Sequence, residues 1–478
     1  MLTSLWIDGK PARALSGRTF DVVNPADGSL LAKVGEGAAA DVDAAVGAAV
    51  RAAAGPWGKM GPRARARVLF DVARLVRENL EKLALLETRN AGKPLADSRD
   101  EIGLVADCFE YYAGSVSKHF GETIPVGASG LDFTLREPVG VCALIVPWNF
   151  PLVIASWKLA PALACGNTVI LKPAAETPLS ALRLAELCSE AGLPPGVLNV
   201  VPGPGPGCGS VLVAHPAVRK VSFTGSTATG IQIMRSGADT LKRVSLELGG
   251  KSPNIVFDDA DLDLCVEKSV WSVFGNAGQD CCARSRALVH RKVYDKFVDR
   301  FVSRAKKIVV VHPEKKGVQV GPLISARQHA RVAGYVRQGQ AEGAELLCGG
   351  ARPSGTPPKG YYLAPAVFAG TKPGMKIVQE EIFGPVVAIQ PFKDEEEAIR
   401  LANDSPYGLS GSLWTRDVGR VLRVTRAVQT GVISVNSSSS VHLEAPFGGY
   451  KSSGVGRELG LKALDLYCEV KNVFVSNV

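Results

Sequence analysis

Cys281 sits in the run Asn276-Ala277-Gly278-Gln279-Asp280-Cys281-Cys282, a polar, glycine-containing loop rather than an apolar helix face. A thiol attacks only as its thiolate, so a nucleophilic cysteine needs partial exposure and help in losing its proton. Most of the ten cysteines in the chain are expected to be inert core residues, and this setting singles one out. Asp280 alone would oppose ionisation, so other groups, a helix terminus or a bound cationic ring must compensate.

Two further polar side chains stand where strands should end. Glu247 closes the expected strand Lys242 to Leu246 and precedes Leu248-Gly249-Gly250, which puts a carboxylate at the rim of a sheet, where α/β enzymes hold catalytic groups rigidly. Its plainer role would be capping a helix or pairing with a lysine. Asn149, in Pro147-Trp148-Asn149-Phe150-Pro151, is held in a stiff turn, where its amide could donate to an oxyanion or simply steady the turn. A phosphate-binding candidate is Gly225-Ser226-Thr227-Ala228-Thr229-Gly230, since the free N–H groups of a helix start suit a pyrophosphate. The G-x-G-x-x-G fingerprint is absent, because Gly203, Gly205, Gly207 and Gly209 have the wrong spacing.

These residues need elements to position them. The pattern predicts a buried strand over Val139 to Val146, a turn, and a helix over Leu152 to Leu163. Strands at Thr168 to Lys172, Val197 to Val201, Lys220 to Thr224 and Lys242 to Leu246 then alternate with helices at Leu179 to Ala191, Cys208 to Ala214 and Ser226 to Ser236. Such alternation argues for a doubly wound parallel sheet with ligands at the strands' carboxyl ends. A second α/β series follows Gly249-Gly250, with strands at Asn254 to Phe257, Ala287 to His290 and Val386 to Gln390 and helices at Leu262 to Phe274 and Val293 to Lys307. Pro202 to Gly209 and Pro353 to Lys359 are loops by composition. His119 to Glu137 and Leu466 to Val478 have strand character and suit pairing outside their own domain.

Composition sets the outer limits. At 478 residues, 46% hydrophobic and 21% charged, the chain suits a globular protein of several domains, too long for a single small module. The net charge of +9 is scattered; its densest run, Arg63, Arg65 and Arg67, reads as the solvated face of a helix after Pro62, so no nucleic-acid partner is expected. The cysteines and six histidines show no disulfide framework, zinc spacing or H-x-x-x-H pair, so no metal is expected. Asp8, Gly9 and Lys10 stand where a signal peptide would be apolar, which favours a reducing cytoplasm. Pro138 to Trp157 is uncharged over 20 residues, but Pro147, Asn149 and Pro151 would break a membrane helix at its centre, so no membrane association is expected.

Taken together, Pro147-Trp148-Asn149-Phe150-Pro151, Lys172-Pro173, Phe223-Thr224-Gly225-Ser226-Thr227, Leu246-Glu247-Leu248-Gly249-Gly250-Lys251, Gly278-Gln279-Asp280-Cys281, Glu381-Ile382-Phe383-Gly384-Pro385 and Pro446-Phe447-Gly448-Gly449 closely resemble the aldehyde dehydrogenase superfamily, in the same order and across essentially the whole chain. The resemblance implies an α/β fold with a Rossmann-like NAD(P) domain over 1–118 and 138–249 and a catalytic domain over 250–447. A small β bridging element over 119–137 and 464–478 would join subunits into a homodimer or homotetramer. It implies that Cys281 attacks a small-molecule aldehyde, that Asn149 and the Cys281 N–H hold the oxyanion, and that Glu247 activates the water that hydrolyses the thioester. Cofactor contacts would come from Val146, Trp148, Lys172, Ala175, Gly205, Gly225, Ser226, Leu248, Glu381 and Phe383, with Lys172 on the adenosine ribose and Glu381 on the nicotinamide ribose.

Relatives commonly carry K-P-x-E-x-T-P, whereas this chain has Lys172-Pro173-Ala174-Ala175-Glu176-Thr177-Pro178, with the acid one place later. Loss of a carboxylate at Ala175 removes a ribose acceptor and a charge that repels a 2′-phosphate, so the expectation is NAD with tolerance for NADP. Asp280 resembles the acid of the Gly-Gln-Asp-Cys loop in bacterial aminoaldehyde dehydrogenases, and Trp157 and Phe447 could form part of a cage for a substrate ammonium. An aminoaldehyde therefore leads narrowly over a broad range of aliphatic or aromatic aldehydes. Semialdehyde acids come third, because no arginine is evident beside these loops. The Ser437-Ser438-Ser439-Ser440-Val441 loop lacks an aromatic and counts against a cation. Two other readings stand beside oxidation: a cofactor-free esterase, and a catalytically idle homologue, whose mark would be loss of Cys281, Glu247 or Asn149.

Overall fold

The computed structural model describes residues 2–439 and 441–477; Ser440 of the serine loop and Val478 of the last segment lie outside them. Five parallel strands form the centre of one sheet, in spatial order Arg243–Glu247, Lys220–Thr224, Val141–Ile145, Thr168–Lys172 and Leu198–Val200. Every residue of Val141–Ile145, Thr168–Lys172 and Lys220–Thr224 is buried. The reason is a period of two between covered faces: Cys142 and Leu144 pack with helix Pro151–Ala164, while Val141, Ala143 and Ile145 pack with helix Ala39–Ala54. Short antiparallel strands complete the edges, Gly454–Val455 beside Arg243–Glu247, and Leu5–Ile7 and Lys10–Ala12 beyond Leu198–Val200. Chain order reverses between Val141–Ile145 and Lys220–Thr224, which is where an open α/β sheet forms its ligand crevice.

A second sheet has seven strands, in the order Glu345–Cys348, Ala366–Ala369, Val386–Phe392, Arg286–His290, Pro253–Val256, Ser410–Trp414 and Val432–Val435, parallel except for the first pair. Thr123–Ile124, Gly130–Pro138 and Cys468–Ser476 make a separate antiparallel arm, in which Cys468 lies opposite Pro138 and Ser476 opposite Gly130.

Thr168–Lys172, Lys220–Thr224 and Leu262–Phe274 fall where the pattern puts them, and most other bounds move by one or two residues. Two readings change. Gly205–Gly209 is not a loop but a wide helical turn running into helix Ser210–Ala214, because the following apolar residues Leu212 and Val213 dock on the sheet and carry the turn with them. Arg65 is not simply solvated: in helix Pro62–Glu78 it turns inward, donating to the Met60 carbonyl at 2.5 Å and the Ala164 carbonyl at 3.3 Å. The uncharged stretch divides into strand, turn and helix Pro151–Ala164, and no helix among the described residues is long and apolar enough to cross a membrane.

Candidate active site

A cavity of about 390 Å³ opens at the carboxyl ends of Val141–Ile145 and Lys220–Thr224, within the size range of ligand pockets. The first sheet contributes Trp148, Asn149, Gly225, Ser226 and Leu248, and the facing segments contribute Cys281, Glu381 and Phe383. Ser226 caps helix Thr227–Ala238, its hydroxyl accepting from the Thr229 N–H at 3.3 Å, while other amides of the first turn have no acceptor within the helix. The Thr224 hydroxyl is buried without a partner. Trp148 and Phe383 meet edge to face at 5.2 Å, with Phe383 at a left-handed φ of 60°.

Glu381 accepts from the Gly250 N–H at 3.0 Å, and burial raises its carboxyl above the usual range. A side chain at Gly249 would collide with this carboxylate, which explains the glycine there.

The thiol loop is wound against its own preference. Asn276, Ala277 and Gly278 take φ of 48°, 55° and 69°, and two of these residues have a Cβ that disfavours that region. A side chain at Gly278 would strike the Gly384 carbonyl, so glycine lets the thiol loop touch the Glu381–Pro385 segment. Polar bonds hold the shape: the Gln279 side-chain oxygen accepts from the Ile324 N–H at 2.9 Å, and Asp280 Oδ1 accepts from the Cys282 N–H at 2.8 Å. The Cys281 pKa is pushed up by its hydrogen bond to Cys282, by burial, and by the charges of Cys282, Asp280 and Glu381. The thiol therefore rests protonated.

Asn149 is buried, and its amide donates to the Gln279 carbonyl at 2.9 Å. An asparagine amide has two hydrogens, so one remains for a further acceptor. The Asn149 carbonyl receives Lys93 Nζ at 2.9 Å and Asn276 Nδ2 at 3.0 Å. Glu247, at the end of Arg243–Glu247, is buried, and its Oε2 has no partner. A Cβ on Gly448 would lie 2.7 Å from Glu247 Oε1. Burial and the charge of Glu458 push the Glu247 carboxyl well up, against the opposing pull of Lys158 and Arg457. Glu458 is itself held by Lys158 and, at 3.2 Å, by the Ser222 hydroxyl.

The profile of the Aldehyde dehydrogenase family matches residues 12–473. A mitochondrial aldehyde dehydrogenase from Rattus norvegicus is 46% identical over 475 residues, covering 98% of this chain and 91% of its own length. The chain belongs to the aldehyde dehydrogenase family. Among solved structures, the NAD+ complex of an aldehyde dehydrogenase from Bacillus cereus superposes with a TM-score of 0.98 at 45% identity, over 100% of this chain and 97% of that one. A betaine aldehyde dehydrogenase from Staphylococcus aureus, in complex with NAD+, gives 0.98 at 38% identity, over 100% and 95%.

Not every residue expected of an aldehyde dehydrogenase site lines the cavity. Trp148, Asn149, Gly225, Ser226, Leu248, Cys281, Glu381 and Phe383 do. Val146 is buried beside the cavity wall, its N–H on the Lys172 carbonyl at 3.2 Å. Lys172 is buried with Nζ on the Pro173 carbonyl at 3.0 Å, and burial lowers its pKa. Gly205 is exposed at the start of its helical turn, and Ala175 is half-buried. Glu176 reaches Arg327 of the cavity wall at 3.5 Å. Trp157 and Phe447 are buried against each other at 5.4 Å, and Asp280 spends an oxygen on its own loop.

The sequence reading passed over Arg327, Gln328 and Arg331, at the start of helix Ala326–Ala341, which also line the cavity. Gln328 donates to the Phe383 carbonyl at 2.7 Å and Arg331 to the Glu381 carbonyl at 2.8 Å, so this helix places both aromatic and acid. They lie in an ordinary polar helix and carry no motif. Lys93, between helices Leu80–Ala91 and Leu95–Ser115, was passed over too, and Asn276 was read only as part of the thiol loop, since only the fold brings them to Asn149.

Proposed function

We propose that the chain oxidises a small-molecule aldehyde to the carboxylic acid with NAD as the hydride acceptor. The observation that carries this reading is the convergence of Cys281, Asn149, Glu381 and a helix start on one cavity at the sheet's switch point. The donor set fits a dinucleotide: first-turn amides and the unpartnered Thr224 hydroxyl suit phosphate, Glu381 suits a ribose hydroxyl, and Trp148 with Phe383 walls a ring. Bound NAD would supply an acceptor for the aldehyde hydrogen as hydride.

The chain's own groups do the rest. Cys281 sulfur bonds to the carbonyl carbon, and the oxyanion takes the free Asn149 amide hydrogen and the Cys281 N–H. After oxidation, water bonds to the thioester carbon as its proton goes to Glu247, and the C–S bond breaks to release the acid and the Cys281 thiolate. A buried carboxyl raised above its usual range is a stronger base once ionised, so Glu247 also suits removal of the Cys281 proton. The exposed apolar residues Leu131, Leu135, Val470 and Phe474 on the arm support a homo-oligomer built through 119–137 and 464–478. The two sheets support domain limits of 1–118 with 138–249 and of 250–447, with the edge strand Gly454–Val455 of the first sheet contributed from outside both ranges. Ten unpaired cysteines support a reducing compartment, the cytoplasm.

For the substrate, the aminoaldehyde reading rests on Asp280, whose Oδ1 is committed to the Cys282 N–H at 2.8 Å. Trp157 and Phe447 pack on each other and are not among the cavity-lining residues, so they offer no cage for an ammonium, which supports the alternative, a broad range of aliphatic or aromatic aldehydes. The deciding experiment pairs 4-aminobutanal, betaine aldehyde, succinic semialdehyde, hexanal and benzaldehyde with NAD and NADP, following reduced-nicotinamide absorbance. Absorbance growth with hexanal or benzaldehyde and NAD is expected. No growth with any pair would overturn oxidation in favour of an esterase or an idle homologue, and esterase activity is then read with an activated ester alone.

A further inference from the structure

A second group of thiols lies at the base of the arm, far in sequence from the catalytic loop. Cys165 ends helix Pro151–Ala164, Cys468 begins strand Cys468–Ser476, and His119 follows the turn Val116–Lys118. Cys165 Sγ, Cys468 Sγ and a ring nitrogen of His119 all lie within 4.8 Å of one another, with His119 Nδ1 at 3.9 Å from Cys468 Sγ. The distance between two ligand atoms around a tetrahedral zinc follows from bonds of about 2.3 Å to sulfur and 2.0–2.1 Å to nitrogen, and comes to roughly 3.5–3.8 Å. The Cys468–His119 pair stands close to that spacing, and the other two pairs lie within 4.8 Å.

The histidine is oriented for the task. Its Nε2 contacts Asp465 Oδ1 at 2.9 Å. A proton on that nitrogen leaves the Nδ1 lone pair facing the thiols, the carboxylate–histidine arrangement that supports metal ligands. Asp465 is fixed in turn by Arg136 at 2.6 Å. The Leu464 carbonyl lies 3.6 Å from Cys165 Sγ and offers an oxygen as a fourth donor, beside solvent reaching the half-buried Cys165 and His119.

The geometry points to a thiophilic metal site of Cys165, Cys468 and His119, taking Zn(II) and clamping the arm to the end of helix Pro151–Ala164. Binding Zn(II) would release the thiol protons to solvent, and two thiolates with a neutral imidazole would balance its charge.

The test uses the full-length reduced protein, stripped with a chelator and titrated with Co(II) and Zn(II). Wild type is expected to take up one equivalent of Co(II) at this site with thiolate charge-transfer and tetrahedral d–d bands. Cys281→Ser/Cys282→Ser keeps those bands, which separates this site from the donors of Asp280, Cys281 and Cys282, themselves within 4.8 Å of one another. Cys165→Ser and Cys468→Ser each lose them, with metal-free melting curves checking the fold. Asp465→Asn weakens Zn(II) by about 10–100-fold in chelator competition. Bands lost in Cys281→Ser/Cys282→Ser but kept in Cys468→Ser would overturn the site. So would the absence of thiolate bands in wild type, or closure of Cys165 and Cys468 into a disulfide in place of metal uptake.

Discussion

The thiol loop and the base of the arm each gather two sulfurs and a third donor, yet their neighbours push Cys281 and Cys468 in opposite directions. Around Cys281 the charged neighbours are Asp280 and Glu381, and the thiol is held protonated. At Cys468 the hydrogen bond with Cys165 lowers the pKa, and Arg136 and Arg65 add to that pull against burial and Asp465. The difference teaches that a sulfur partner can push a thiol either way, and that the charges nearby then decide whether the push is reinforced or opposed. A thiol held protonated resists oxidation and must be switched on by a base or a bound cation, whereas one with a lowered pKa gives up its proton more readily.

The largest expected effect breaks the comparison outright. Cys281→Ser should lower aldehyde-dependent nicotinamide reduction by roughly 10⁴-fold or more, while Cys468→Ser leaves kcat close to wild type; equal losses would erase the distinction. Glu247→Gln should come next. It should retain a rapid burst of nicotinamide reduction and slow steady turnover by about 10²–10⁴-fold, and full steady-state turnover would remove the assigned base. Its pH profile carries a sign. Because burial raises the Glu247 carboxyl, its ionised form accumulates only as pH climbs beyond the ordinary carboxylate range, so deacylation should rise with pH in wild type and lose that limb in Glu247→Gln.

Asn149→Ala should reduce kcat by about 10²–10³-fold, the usual cost of one oxyanion donor, and a loss confined to KM would place the amide outside the reacting centre. The smallest effect lies away from both thiol groups. Ala175→Glu should shift the ratio of kcat/KM for NAD over NADP several-fold toward NAD, because it adds a ribose acceptor and a charge opposed to a 2′-phosphate. An unchanged ratio would make position 175 irrelevant, in keeping with the engagement of Glu176 by Arg327.

Much of the framework was legible because local pattern and tertiary burial agree. Lys220–Thr224 alternates Val221 and Phe223 with polar residues, is fully buried and is closed by Gly225, so strand, end and helix start could all be read together. The residues that complete the site were not legible. Lys93 and Asn276 converge on the Asn149 carbonyl from positions 56 and 127 residues away, and no periodicity encodes such a meeting. The left-handed turn at Asn276 and Ala277 escaped notice because neither residue demands it; the contacts of Gln279 and Gly278 impose it. His119, Cys165 and Cys468 escaped a search for ligand spacing, since the spacing exists only in three dimensions.

The strand that carries Glu247 is finished by a late piece of chain. Gly454 and Val455 pair with its end, and Ser453 reaches back to the Gly249 carbonyl across 204 residues at 2.7 Å. During synthesis, Cys281 leaves the ribosome well before Ser453, Gly454 and Glu458, so the loop bearing the thiol emerges while the sheet of Glu247 still lacks an edge. The proposed reactive centre is therefore assembled only after that late segment has been made, and a product that stops before Ser453 carries Cys281 without the strand that closes the sheet beside Glu247.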